Sequence, residues 1–401
     1  MLAAVVWICC ALPQPVGEPA QLLIRIRQKM TETLARLPDY TCRQTIERSK
    51  READSKRFVF LDRLRLEVSY VSGKELFAWP GSEKFEDQSI FELVHGGTMG
   101  NGSFALHARA IFAGKGAEFT WAGEAVENGR KVVRYNYRVP REKSNFVVSS
   151  GGASAVVGYH GSFWADAATL DVARLEVEAD GIPAHVGVLA GGLTMTYART
   201  RIGTTEFLLP RTSELFLKNA TGMESRNRGT FEECRQYAGE SVIKFGEVDT
   251  APSAAPAPAA KKRPELPAGL NVEMVLNTRI EIPAAAIGDP VRATVSKAAR
   301  KDNVEFIPKN AVLTGRISRI EQGKERRGAI CLVGIVLDRV EFAGQRTAFS
   351  GKLASVAFVN SHFSAAAPDK SDLPGEGLLI MRGDRLTVVP ALQMVWVTGK
   401  P

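Results

Sequence analysis

The sequence predicts a mainly β protein: one amphipathic helix, a long antiparallel sheet, a linker, and a second, small all-β domain of barrel form. Three observations predict it. Apolar residues recur at helical spacing over a single stretch near the N-terminus. Strict two-residue alternation follows, and it resumes after an Ala/Pro-rich interruption around residue 255. The 401 residues are about 2.7 times the ~150-residue size of a typical domain, so two domains are expected. At 45% hydrophobic and 24% charged residues the chain is not disordered as a whole. No apolar run reaches the ~18–20 residues of a spanning helix, which excludes a polytopic helical membrane protein.

Leu2 to Leu12 (LAAVVWICCAL) is an eleven-residue apolar stretch, the length of a signal-peptide core and too short to span. Residues 1–17 are therefore expected to be a signal peptide, although no Lys or Arg precedes the apolar run. Export implies the periplasm or cell envelope. Residues 19–37 follow as a helix, with Leu23, Ile26, Met30, Leu34 and Leu37 spaced by three or four and Arg25, Arg27, Lys29 and Glu32 between them. Pro38 ends it.

Period two then takes over. Leu64, Leu66, Val68 and Tyr70 alternate with Arg63, Arg65, Glu67 and Ser69, and Val133, Tyr135, Tyr137 and Val139 with Arg134, Asn136 and Arg138. Leu175, Val177 and Ala179 repeat the pattern, as do Leu193, Met195 and Tyr197. Such alternation describes an antiparallel sheet with one dry face and one wet face. GYHGSFWADAATLDVARLEVEAD reads as a hairpin turning near Asp166 to Thr169. Residues 85–116 read as two short helices flanking a glycine-rich loop, His95 to Ser103. That loop is either a mobile lid or an inert surface connection.

DTAPSAAPAPAAKKRPEL is a semi-extended linker, placed at 249–266. It separates a domain at 18–248 from one at 267–401. In the second, Leu270, Val272, Met274 and Leu276 and then Val291, Ala293 and Val295 mark strands. Gly288-Asp289-Pro290 and Ile307 to Asn310 are turns, and RLTVVPALQMVWV is the closing strand segment. Many short strands of this kind suit a barrel.

Residues 1–250 hold 31 Lys and Arg against 30 Asp and Glu, 251–265 hold 3 against 1, and 266–401 hold 18 against 13. The basic excess thus sits where aromatics are scarce, so no nucleic-acid partner is expected. Weak attraction to anionic lipid or envelope polymers fits better.

Catalytic constellations are thin. The five His include no His-Glu-x-x-His pair. Ser162 beside His160 lies within a strand rather than on a nucleophile elbow. Asp166 and Asp171 flank a hairpin turn, where Asp bonds its own backbone. Without a Cys-x-x-Cys, a zinc site has no support. No catalytic residue, metal or cofactor is expected. Met30, Phe112, Phe119, Trp121, Tyr135, Tyr137, Phe163 and Trp164 could line a ligand cavity, and a closed core would use the same residues. Cys42 and Cys234 share a Cys-Arg-Gln context. Export favours a disulfide between them over two unrelated thiols. Cys331, in AICLVGIVL, reads as a core residue.

A single helix followed by alternating strands over roughly residues 20–247 resembles the periplasmic lipoprotein-carrier and lipoprotein-sorting fold. FWADAATLDVARLEVE presents Trp164, Asp166, Thr169 and Arg174 in the W-x-D-x-x-T-x-x-x-x-R order of that fold's hairpin. The resemblance implies a half-open barrel wrapped on the helix around an apolar cavity. In such a sheet the first and last strands approach, and a Cys42–Cys234 bond would fasten the open side, with SVIKFGEV as the last strand. The glycine-rich insertion and the appended domain depart from a minimal carrier. Residues 266–342, with Gly288-Asp289-Pro290-Val291 and Ile307-Pro308 through Gly315-Arg316-Ile317, resemble β-barrel domains of conjugative secretion scaffold proteins, Asn310 replacing a glycine. That implies envelope location and protein contacts.

The expectation is an exported, non-catalytic envelope protein binding an apolar ligand, such as an acyl chain or a lipidated protein. Envelope proteins or anionic lipid are further partners. The alternatives are a structural or interaction module without a cavity, and a hydrolase.

Overall fold

The computed structural model describes residues 18–82, 85, 89–94, 96–127, 129–237, 266–325, 328–357, 363–365, 373, 375–382, 387–388 and 390–399. The expected signal peptide, His95, the SVIKFGEV strand and all of the linker but Leu266 lie outside these residues.

Helix α1 spans Glu18–Arg36. Strands β1 (Tyr40–Arg51), β2 (Val59–Val71) and β3 (Lys74–Ala78) follow, then the short helices α2 (Ile90–Leu93) and α3 (Leu106–Ala108). The latter runs into a π-helical turn, Arg109–Ala113. Next come β4 (Glu118–Glu127), β5 (Arg130–Val139), β6 (Phe146–Ser150), β7 (Ala153–Asp166) and β8 (Val172–Asp180). They are followed by β9 (Val188–Ile202), β10 (Thr205–Asn219) and β11 (Glu224–Gln236).

The C-terminal part opens with β12 (Asn271–Leu276), β13 (Ile280–Glu281), β14 (Pro290–Val295), β15 (Ala299–Lys301) and β16 (Val304–Ile307). It continues with the long β17 (Val312–Glu325) and β18 (Gly328–Phe342), then β19 (Gln345–Ala348), β20 (Gly351–Val356) and β21 (Phe363–Ala365). Strands β22 (Glu376–Arg382), β23 (Thr387–Val388) and β24 (Gln393–Thr398) complete it. The chain is mainly β, with a curled half-barrel sheet and few helices, as the alternation requires.

The described residues form two compact units. One holds those up to Pro38 together with Gly102–Arg211; the other holds Asp39–Asn101 and everything from Thr212 onward. Strand β10 is divided between them.

In the first unit the strands are ordered β10-β9-β8-β7-β5-β4, with β6 paired to β7. Helix α1 buries Ile26, Met30 and Leu34, one stripe at four-residue spacing. Its neighbour is the π-helical turn. Arg27 donates to the Phe112 and Gly114 carbonyls, Thr31 donates to Phe112, and Arg109 donates to the orphan carbonyl of Leu34 at 3.0 Å. The β7–β8 turn is built as the sequence indicates. The Asp166 carboxylate accepts from the Ala168 and Thr169 N–H groups, which holds its pKa below the usual range, and Asp171 binds Lys29 and Arg199.

In the second unit the order is β3-β2-β1-β11-β10. Cys42 and Cys234 are bonded, their Cα atoms 4.1 Å apart. The expected placement of that bond needs correcting. Strands β1 and β11 are hydrogen-bonded neighbours flanked by β2 and β10, so the bond staples adjacent strands inside the sheet and does not close an open side. Cys234 itself lies in β11.

The C-terminal strands run β20-β24-β12-β14-β17-β18-β22-β21, with β19 on β18; the end strands β20 and β21 approach each other, without a ladder between them among the described residues. Their core gathers Val272, Met274, Val291, Val295, Cys331 and the fully buried Trp396. The Gly288-Asp289-Pro290 turn docks on β2. Ile287 forms a parallel bridge to Leu64, the Arg65 N–H donates to the Ile287 carbonyl, the Ile287 N–H donates to that of Arg63 (both 2.8 Å), and Asp289 pairs with Arg65. Gly288 sits at φ +98°, where an added Cβ would lie 2.3 Å from the Arg65 carbonyl and 2.6 Å from the Trp79 ring.

Candidate functional site

Of the eight candidate cavity residues, the first unit brings six, all aromatic, into one cluster. Met30, Phe112, Tyr135, Tyr137 and Phe163 are buried. Phe112 meets Phe163 edge-on at 5.0 Å, Tyr135 stacks on Phe163 at 5.3 Å, and Phe119 lies 6.0 Å from Phe163 and 6.2 Å from Tyr137. These rings contact one another at the spacing of packed aromatic pairs. The Tyr135 hydroxyl donates to the Pro19 carbonyl and that of Tyr137 to Glu176; burial pushes the Tyr137 pKa well up, so its hydroxyl stays a donor. Trp121, on the edge strand β4, is 40% exposed and packs on Tyr135 at 5.0 Å. Trp164 is the outlier. It follows Phe163 along β7 and therefore points to the opposite face, between the guanidinium groups of Arg134 (4.9 Å) and Arg174 (4.7 Å).

On that same face the Ser162 hydroxyl accepts from Arg134 and donates to Asn136. His160 lies 3.5 Å from Glu178. Cys331 is buried, and burial, with Glu321 beside it, pushes its thiol up to about 11.

The second unit contains a cleft of about 580 Å³ that the sequence did not announce. Leu64 of β2, Ile287, Ile320 of β17 and Val336 of β18 line it, with Leu93 and Val94 from the end of α2 and Trp79 from the segment after β3. Its polar lining comprises Arg48, Asp62, Arg316, Ser318, Arg319 and Glu321. Arg48 is fully engaged. Its Nε and Nη2 grip Asp62 at 2.7 and 2.6 Å, and its Nη1 donates to the Gly96 carbonyl at 2.7 Å. Asn227 donates to the Thr98 carbonyl at 2.6 Å. Residues 96–99 of the glycine-rich loop are thus tied to β1 and β11, and Gly97 sits at φ +74°, a backbone conformation that favours glycine, with the Arg48 guanidinium 2.4 Å from where a Cβ would lie.

Arg316 stands over the Trp79 ring at 5.1 Å, with Asp338 at 3.5 Å. Burial lowers its pKa against the opposing pull of Asp338 and Glu376, and its Nε is buried without a hydrogen-bond partner. Burial likewise raises the Asp338 carboxyl. The Glu376 carboxylate is fully buried. It accepts from Ser318 at 2.6 Å and lies 3.4 Å from Arg319.

Sequence reading missed this constellation. One signal was available. Arg48 continues the dry-face phase of Cys42, Gln44 and Ile46, and a charged side chain in an apolar phase marks a buried partner.

No protein-family model and no curated protein matches the sequence. Among solved structures, a putative outer membrane lipoprotein-sorting protein domain from Vibrio parahaemolyticus is 14% identical with a TM-score of 0.33, covering 56% of this chain and 95% of its own. A DUF1329 family protein from Desulfovibrio piger is 11% identical with a TM-score of 0.32, covering 56% and 96%. Similarity at this level assigns neither an activity nor a ligand to this chain. Neither structure supports the resemblance of the C-terminal strands to secretion scaffold domains.

Proposed function

We propose that this is an exported, non-catalytic envelope protein that binds a ligand with an acyl chain, and that the ligand occupies the second unit's cleft. The observation that carries the reading is the lining of that cleft. Seven aliphatic side chains and Trp79 surround about 580 Å³, within the ~300–1,000 Å³ range of small-molecule sites. The disulfide supports export, since such bonds persist in oxidising compartments. Anionic lipid as a further partner is supported by the start of β2. There Val59, Phe60 and Leu61 are 59%, 45% and 36% exposed, beside the exposed Lys56 and Arg57.

The full chain, purified from the periplasm of an expressing cell, should carry acyl species visible by native mass spectrometry. Val336→Trp, which fills the cleft, should empty it while the circular dichroism spectrum is unchanged. Protein that carries no acyl species and takes up no fluorescent fatty acid would defeat the ligand reading. A reporter fused after residue 17 checks export separately.

A second reading, an interaction module without a ligand, is favoured by the aromatic cluster of the first unit, whose ring centroids lie 5.0–6.2 Å apart, the spacing of packed aromatic pairs. Uptake of lipid by Val336→Trp equal to wild type would move the ligand away from the cleft.

A further inference from the structure

We infer that the cleft's ligand carries an acidic head group, carboxylate or phosphate, and that Arg316 seats it; this rests on the proposal that the cleft takes an acyl chain. The cleft's three arginines are not equivalent. Arg48 is spent on Asp62 and Gly96. Arg319 is turned toward Glu376 and Glu321, each at 3.4 Å. Arg316 donates no hydrogen bond to any described residue, and its Nε is closed off from water.

A guanidinium offers five N–H donors in a rigid planar fork suited to two acceptor oxygens at once. Trp79 covers one flat face of this fork, so the edge is what remains for an acceptor. The carboxylates around it do not fill that role. Glu376 is held by Ser318 and Arg319, and Asp338, half exposed, forms an ion pair with Arg316 at 3.5 Å without a hydrogen bond. An anionic head at the fork displaces Asp338 toward water, while Ile320, Val336 and Leu64 receive the chain. A neutral hydroxyl head offers one acceptor oxygen and no charge, so it answers the fork only in part.

The test compares dodecanoate, dodecyl phosphate and dodecanol, three ligands with one chain and different heads, by calorimetric titration of the full-length protein. Both acids should bind about tenfold or more tightly than the alcohol, and the tighter of the two separates a fatty-acid source from a phosphate one. Arg316→Gln should bring the acids down to the alcohol's affinity and leave the alcohol unchanged, and Arg316→Lys, which keeps charge without the fork, should fall between. Equal affinities for acids and alcohol in the wild type overturn the head-group assignment and leave the acyl reading standing. Acid binding that Arg316→Gln does not weaken overturns the role of Arg316. Should that variant fail to fold, the wild-type contrast between acid and alcohol still decides. Binding of none of the three defeats both proposals.

Discussion

Arg48 lies on the buried face of β1, at the position where the two-residue phase of Cys42, Gln44 and Ile46 calls for an apolar side chain. It is tolerated there because Asp62 on β2 answers it with two oxygens and the Gly96 carbonyl takes a third donor. Removing one partner strands the other. Arg48→Met should cost about 3–5 kcal/mol in urea unfolding, and adding Asp62→Asn should recover part of that; a change within ~0.5 kcal/mol would show that solvent already serves Asp62. The cysteines divide differently. The Cys42–Cys234 bond joins positions 192 apart in sequence, so Cys42→Ala/Cys234→Ala should lower stability by about 2–5 kcal/mol in oxidised protein. The loss should vanish when wild type is measured reduced. Cys331 has no partner cysteine, and its thiol, up at about 11, is almost wholly protonated below pH 9. Iodoacetamide at pH 8 should label it only after unfolding, as read by mass spectrometry.

Strand β2 shows what an element can do beyond its own pattern. Leu64, Leu66 and Val68 alternate with Arg63, Arg65 and Glu67 as an antiparallel strand with one wet face should. Yet the backbone of Arg63 and Arg65 exchanges hydrogen bonds with Ile287, in a turn more than two hundred residues away. The turn residues Gly288 to Pro290 are legible as a turn. Their docking on β2 is not, because a backbone bridge needs no particular side chain. Gly288 is where the contact can be tested. At φ +98°, with the Arg65 carbonyl and the Trp79 ring within 2.6 Å of any added Cβ, Gly288→Ala should cost more than ~1 kcal/mol. The Arg65 and Ile287 amides should lose exchange protection with it. The glycine-rich loop behaves similarly, its course from Gly96 to Thr98 set by Arg48 and Asn227 rather than by its own composition.

At the scale of the whole molecule, the strands before residue 101 and those after residue 212 belong to one compact unit, which also contains the C-terminal strands. Residues 266–399 produced alone would expose Ile287, Ile320 and Val336, which line the cleft together with Leu64 and Trp79. Such a fragment should melt below the transition of the same residues in the full chain and bind a hydrophobic dye; an unchanged melting temperature would mean that the β2 contact adds nothing. The helix stripe Ile26-Met30-Leu34, the alternating strands, the Asp166 turn and the paired cysteines were all legible in the sequence. Each depends on local spacing or on a residue type with one dominant chemistry. Only the tertiary structure decided that the candidate aromatics pack on one another, that Trp164 faces away from Phe163, that Cys42 and Cys234 sit on neighbouring strands, and that Arg48 and Arg316 meet at one cleft. Periodicity assigns a side chain to a face, whereas a site is made by which faces of distant strands are brought together, and that depends on pairings between residues hundreds of positions apart that no local pattern records.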